Sequence, residues 1–202
     1  GCELKPEALT PLADAIKLMG AVDAVVLSGN LLLGNRDVRS REEYDQHGDT
    51  MPCDYGGFNS FCEALKPTSI KHLDLSECRL DASATSSLAD AIKLMAALNS
   101  IVLDGNLLTG TQRQGYGYAE TTCDVQIDGF KALCDALAPS QIREISLKSC
   151  WLGPQAVVLL ADAIKFMGAV NLLTLDSTGN MMLDHQKTYT LTAGEEKIDL
   201  SQ

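Results

Sequence analysis

Hydrophobic positions along this chain follow two alternating rhythms. In one, side chains suited to a buried face recur at i, i+3, i+4 and i+7: Leu9, Leu12, Ala13 and Ile16, then Phe58, Phe61, Cys62 and Leu65. The spacing returns at Thr85, Leu88, Ala89 and Ile92, at Phe130, Leu133, Cys134 and Leu137, and at Val157, Leu160, Ala161 and Ile164. Such spacing lines one side of an α-helix, so each set predicts an amphipathic helix. In the other rhythm apolar residues alternate: Val25 and Leu27, Leu73 and Leu75, Ile101 and Leu103, Ile145 and Leu147, Leu173 and Leu175. Alternation predicts short strands with one buried face. Strands and helices take turns along the chain, so strand faces and helix stripes bury each other.

The elements are copies of one another. Residues 12–19 recur unchanged at 88–95, and recur at 160–167 with Phe166 replacing a leucine. Residues 57–65 match residues 129–137 more loosely, sharing the Gly-Phe start, the cysteine and the Ala-Leu end. Each strand lies in a longer pattern, apolar-x-x-apolar-x-Leu-x-x-(Asn/Cys)-x-Leu. It begins at Val22, Ile70, Leu98 and Ile142, and a fifth copy starts at Val170 and then departs, with Thr178 in the Asn/Cys place. Repeats of this length denote a solenoid. The pattern resembles the leucine-rich repeat family, in its ribonuclease-inhibitor-like branch, over nearly the whole chain. The resemblance implies an α/β solenoid with parallel strands on a concave face and helices on a convex face. It also implies that Asn30, Cys78, Asn106 and Cys150 satisfy backbone groups in the turn after each strand. Cys2 looks like the same position of a preceding unit.

The period is uneven. Leu75 to Leu103 and Leu147 to Leu175 are 28 residues each, but Leu27 to Leu75 is 48 and Leu103 to Leu147 is 44. The long units carry inserts, at residues 33–56 and 109–128, and a third starts at Met181. All occupy one place in the unit, so they should project from one rim. Residues 112–126 and 187–200 each suggest a β-hairpin, the latter with Ala193-Gly194 at its turn. The chain reads as a single leucine-rich repeat domain over residues 1–202. It starts and stops within units, which suggests a segment of a longer array or ends that dock on neighbours.

Composition narrows the function. Of 202 residues 46% are apolar and 21% charged, as in a folded protein, and the net charge is −11. That charge repels a phosphate backbone and argues against nucleic acid. No apolar run approaches the length of a membrane span. The inserts hold all the tyrosines, namely Tyr44, Tyr55, Tyr116, Tyr118 and Tyr189, together with His47 and His185. Tyrosine on a rim either anchors the insert to the solenoid or joins arginine as an interface contact.

Candidate chemistry mostly dissolves into the repeat. Cys62 and Cys134 lie on helix stripes, and Cys78 and Cys150 in turns; no Cys-x-x-Cys pair or zinc spacing occurs. Reduced thiols in an intracellular compartment follow. Asp14, Asp90 and Asp162 each precede a lysine by three residues, the spacing of solvated ion pairs on a helix. On the concave face His72 lies near Asp74 and Ser100, but no oxyanion site or activating third group accompanies them. There is no phosphate loop and no calcium loop, so no cofactor or metal is expected and no enzyme activity is read. Trp151 stands in the turn after Cys150. The expected function is a protein–protein interaction scaffold, with Tyr44, Tyr116, Tyr118, Trp151 and His72 as partner-binding residues. The family resemblance adds two alternatives: a regulator of an enzyme, such as a small-GTPase-activating protein, and the sensor module of a longer receptor.

Overall fold

The structure, a computed structural model, describes residues 4–34, 53–114, 120–176 and 188–194. In chain order the elements are α1 (Pro6–Leu18), β1 (Ala24–Val26), α2 (Tyr55–Leu65), β2 (His72–Asp74), α3 (Ala82–Ile92) and β3 (Ser100–Val102). Then come β4 (Gln112–Gln114), β5 (Glu120–Thr122), α4 (Ile127–Leu137), β6 (Glu144–Leu147), α5 (Pro154–Ile164), β7 (Leu172–Asp176) and β8 (Thr188–Thr192). Each stretch of 3.6-residue periodicity is a helix, and each alternating stretch named above is a strand.

Strands β1, β2, β3, β6 and β7 pair in parallel, in that order. Their register aligns Val25, Leu73, Ile101, Ile145 and Leu173 in one row, and all five are buried. The helix stripes close over this row, with Phe58, Phe61 and Phe130 fully buried among leucines. Burying such side chains supplies the main favourable term for folding, on the order of 2 kcal/mol for each large one.

The turns form a second ladder. Asn106 Nδ2 donates to Leu75 O at 2.9 Å and Leu103 O at 2.8 Å, while its Oδ1 accepts from Leu80 N at 2.8 Å. Asn30 Nδ2 donates to Leu27 O and its Oδ1 accepts from Leu4 N, both at 2.8 Å. Cys78 Sγ donates to Leu27 O at 3.0 Å and Cys150 Sγ to Leu103 O at 3.2 Å. Each side chain ties its turn to a strand or turn of the unit before it. These bonds are the role that the repeat pattern implied for all four residues.

Helices pair unevenly. α2 packs more extensively on α1 than on α3, and α4 more extensively on α3 than on α5. Gly57 and Gly129 make the close pairs possible. A Cβ at Gly57 would run into the backbone carbonyl of Pro6, and one at Gly129 into that of Ala82. Two cassettes result, each a helix, a strand, an insert, a second helix and a second strand.

The octapeptide shared by α1, α3 and α5 reports its neighbours. In α3, flanked on both sides, Leu88 and Ala91 are fully buried, as is Ala84 one turn earlier. In α1 the equivalent Ala8 and Leu12 are half-buried and Ala15 is exposed. In α5 the opposite side opens: Val157 and Ile164 are half-buried and Ala161 is exposed, whereas Thr85, Ile92 and Ala89 are buried in α3.

One expectation needs correction. The segment after Met181 was placed among the rim inserts, with a hairpin over residues 187–200. Its described part, β8, instead pairs antiparallel with β7 and makes the sheet six-stranded. Leu191 lies opposite Leu173 and Tyr189 opposite Leu175, so the core-facing side of β8 extends the apolar row. Residues 195–200 lie outside the described residues. The hairpin expected in the second insert is present, as β4 paired antiparallel with β5.

Candidate protein-interaction surface

Both inserts leave the solenoid through the same backbone figure. Gly34 N donates to Leu31 O and Gly110 N to Leu107 O, each at 3.0 Å. The return strand then closes the neck: Asp54 N donates to Leu33 O at 3.0 Å and Gln126 N to Thr109 O at 2.9 Å. Each insert therefore departs and returns at one point of the rim where strands end and helices begin.

Beyond the neck the two cassettes differ in how the next helix is capped. Asp81 caps α3 itself: its Oδ1 accepts from Ala84 N at 2.9 Å. Its Oδ2 accepts from the Tyr55 hydroxyl at 2.5 Å. Burial and this carboxylate both push the Tyr55 phenol above its ordinary value. At α5 the capping place holds Gly153, which has no side chain to offer. Asp124, from the end of the second insert, supplies the carboxylate instead. Its Oδ1 accepts from Gly153 N at 2.9 Å, and its Oδ2 from Gln155 N at 2.9 Å and Ala156 N at 3.1 Å. A carboxylate on these otherwise unpaired amides satisfies them and meets the positive end of the helix dipole. The exchange needs glycine: a Cβ at residue 153 would collide with Asp124 and Cys123. A second staple lies beside it, where the Thr111 hydroxyl donates to Trp151 O at 2.8 Å.

The sequence-predicted contact residues do not converge on one spot. Trp151 is half-buried at the root of the second insert, with backbone in the left-handed region at φ 53°. His72 is half-buried at the start of β2, in the concave row Ala24, His72, Ser100, Glu144 and Leu172. It thus lies toward the other end of the strands from Trp151. Tyr44, Tyr116 and Tyr118 lie outside the described residues. Tyr55 acts as an anchor through Asp81.

On the concave face the aspartates are already engaged. Asp74 Oδ1 accepts from Ser76 N at 2.9 Å and from the Ser76 hydroxyl at 2.6 Å. Asp104 Oδ1 accepts from the Ser146 hydroxyl at 2.7 Å and Lys148 N at 2.8 Å. Asp176 accepts from Ser149 N and from the Thr188 hydroxyl. These carboxylates brace neighbouring strands and the turns after them.

Two features escaped the sequence reading. One is the cap donated by Asp124; the visible signal was a glycine at residue 153 where the other cassette has Asp81. The other is a row of exposed apolar side chains where helices end: Leu18, Leu94 and Phe166 are 87%, 61% and 75% exposed. They hold one position of the repeated octapeptide, and inspection of that position alone would have raised them.

The described cysteines are free thiols. Burial pushes the thiols of Cys62, Cys78 and Cys134 up to about 12, and that of Cys150 further. Such thiols stay protonated and inert at neutral pH. Among the described residues no group of three or more His, Cys, Asp or Glu side chains could hold a metal ion. Nor is any described helix long and apolar enough to cross a membrane.

Fold and surface together define a repeat protein of mostly parallel α/β layers, with inserts rooted on one rim. Solved structures that share that fold include two whose likeness spans most of the chain. One, titled leiomodin-1 actin-binding site 2, matches with a TM-score of 0.54 and 18% identity, over 81% of this chain and 76% of that one. The other, the tropomodulin C-terminal domain of Caenorhabditis elegans, matches with a TM-score of 0.57 and 13% identity, over 86% and 84%. No protein-family model matches the chain, and no curated protein matches it in sequence. These neighbours overturn the assignment to the ribonuclease-inhibitor-like branch. The 28-residue period that suggested that branch belongs to alternate units alone. The coarser statement stands: an α/β solenoid-like fold with a mostly parallel sheet.

Proposed function

We propose that this chain is a non-enzymatic protein-binding module that engages actin through its insert-bearing rim and the adjoining concave face. Two things support the partner. The matching leiomodin structure is titled an actin-binding site, and the likeness spans most of both chains. The surface rests on one observation, the Asp124 cap. It fixes the end of the second insert to the N-terminus of α5 through three hydrogen bonds. A rim segment held in this way presents its side chains with little entropy left to lose on binding. Trp151, tied through its carbonyl to Thr111, would stand at the centre of that surface, with Tyr116 and Tyr118 in the insert itself. Free, buried thiols suit a reducing, intracellular setting. The two structural neighbours lend no support to the enzyme-regulator and receptor-sensor alternatives.

Actin co-sedimentation and monomer titration test the reading. One variant has residues 112–122 replaced by a short loop that keeps Thr111 and Asp124; a second is Trp151→Ala. The expected result is saturable binding by the native chain and at least a roughly tenfold loss in the loop variant, as for removal of an interface hot spot. Absence of binding to either form of actin would remove the partner. Binding that survives both changes would remove the rim.

A further inference from the structure

We propose that the rim on which the helices end is a second docking surface, and that its occupant is an acidic amphipathic helix of a partner protein. The proposal rests on the fold and is independent of the actin reading. Three observations carry it.

The first is a row. Two residues past the last apolar stripe residue, each of α1 to α5 is followed by one exposed apolar side chain: Leu18, Pro67, Leu94, Pro139 and Phe166 in turn. The row is no effect of the solenoid's ends. Leu94, at its middle, is 61% exposed although α3 has α2 packed on one side and α4 on the other. The backbone fixes where the largest members leave: Leu94 N donates to Ala91 O and Phe166 N to Ala163 O, both at 2.9 Å.

The second is charge. A lysine stands immediately before the exposed apolar residue in four of the five units, at Lys17, Lys66, Lys93 and Lys165. The segments that join these helices to the next strands, residues 19–23, 66–71, 93–99, 138–143 and 165–171, hold five basic residues against one acid. That is a basic rim on a chain whose net charge is −11. The four lysines pair with carboxylates three residues before them. Pairs so open to water are weak, and a partner's carboxylates can share them. The helix dipole accounts for lysine at a helix end. It does not account for an apolar side chain beside it in every unit.

The third is spacing. Packed helices lie about 8–10 Å apart. Seven residues of an α-helix rise about 10 Å and return close to the same face. A helix laid across the rim would therefore meet successive members of the row with every seventh side chain, and its flanking glutamates would reach the lysines. An anionic bilayer also attracts lysine beside leucine or phenylalanine. Its field, however, meets and repels the whole acidic chain, whereas a helix meets only the rim.

The test titrates the full chain with a labelled synthetic helix of about five heptads, with leucine at every seventh position, glutamates beside it and alanine elsewhere. Fluorescence anisotropy should show saturable binding. A version with lysine for glutamate should bind at least roughly tenfold more weakly. Leu94→Glu should weaken binding of the acidic helix at least roughly tenfold. Because Leu94 is exposed, that variant should keep the native Tm within about 1 °C. Absence of binding overturns the proposal, as does binding indifferent to the peptide's charge or to Leu94→Glu. Tighter binding of the chain to vesicles of anionic lipid would replace the helix by a membrane. A dimer in light scattering that Leu94→Glu dissociates would give the row to a second copy. Loss of actin binding in the same variant would give the row to actin and overturn a separate partner.

Discussion

The two cassettes solve one problem in different ways. Each must end an insert beside the N-terminus of the helix that opens the next unit, α3 in one case and α5 in the other. In the first, the helix brings its own cap, Asp81, and the insert's closing residue Tyr55 only braces it. In the second, the capping position is Gly153 and the carboxylate arrives from Asp124, 29 residues earlier. The backbone figure at the neck is shared, so the difference is confined to side chains. An insert of the first kind is fastened to a helix that would stand without it. An insert of the second kind has become part of the helix it touches.

The largest effect should come from breaking what the cassettes share. Gly57→Ala and Gly129→Ala each drive a Cβ into a backbone carbonyl of the partner helix. The helices must part, at a cost of about 3 kcal/mol in either cassette, at the upper end for overpacking. Denaturant unfolding of both variants measures this. A loss below about 1 kcal/mol in one of them would show that its helix pair yields, and that the cassettes are not equivalent.

The next effect separates them. Asp124→Ala strands three amides at the start of α5, two of them belonging to buried residues, and should cost about 2 kcal/mol. Asp81→Ala strands one amide and the Tyr55 hydroxyl, and should cost about 1 kcal/mol. Hydrogen exchange sharpens the contrast: Asp124→Ala should release the first turn of α5 together with the root of the second insert. If the two substitutions cost the same and α5 stays protected, the division of labour drawn here fails.

Much of this was legible in the sequence, and the gaps have physical causes. Helix and strand periodicities arise from local geometry, so every parallel strand and every helix could be read from spacing. Partner choice is different. The alternation Thr188, Thr190, Thr192 against Tyr189, Leu191 marks a strand with two unlike faces, but nothing in it says whether the strand pairs with its neighbour in sequence or with β7. Asp124 was opaque for a related reason: a cap from a distant residue leaves no local capping pattern. The substituted glycine at position 153 was its only trace. Trp151 and His72 were legible as surface residues, one in the turn after a strand and the other near a strand's start.

A pH titration compares the two kinds of turn. Asn30 and Asn106 carry amides that do not ionise, while Cys78 carries a thiol whose value rises from 9.0 to about 12, chiefly through burial. The folded state holds that proton more tightly than the unfolded chain. Its contribution is therefore whole below about pH 9 and is lost as pH climbs from there toward about 12. Between pH 8 and pH 10 the thiol should account for about 1 kcal/mol of lost stability. Cys78→Ala lowers stability at pH 8 but should flatten the fall by that amount. An unchanged slope would mean that the thiol is open to water in the folded protein.

The smallest effect concerns the ion pairs Asp14–Lys17, Asp90–Lys93 and Asp162–Lys165, at 3.3, 2.9 and 2.6 Å. They recur with the octapeptide, at the open α1, the enclosed α3 and the open α5 alike. All six side chains are close to half exposed or more. Water screens such pairs, and each should contribute less than about 0.5 kcal/mol. Asp14→Asn, Asp90→Asn and Asp162→Asn should therefore be nearly neutral and indistinguishable in urea unfolding. Equality among the three carries the argument, because the apolar side chains beside them differ so sharply in burial. If Asp90→Asn alone proved costly, enclosure by neighbouring helices would reach the outer helix face as well. The open ends of the solenoid and its enclosed middle would then differ in electrostatics and not only in packing.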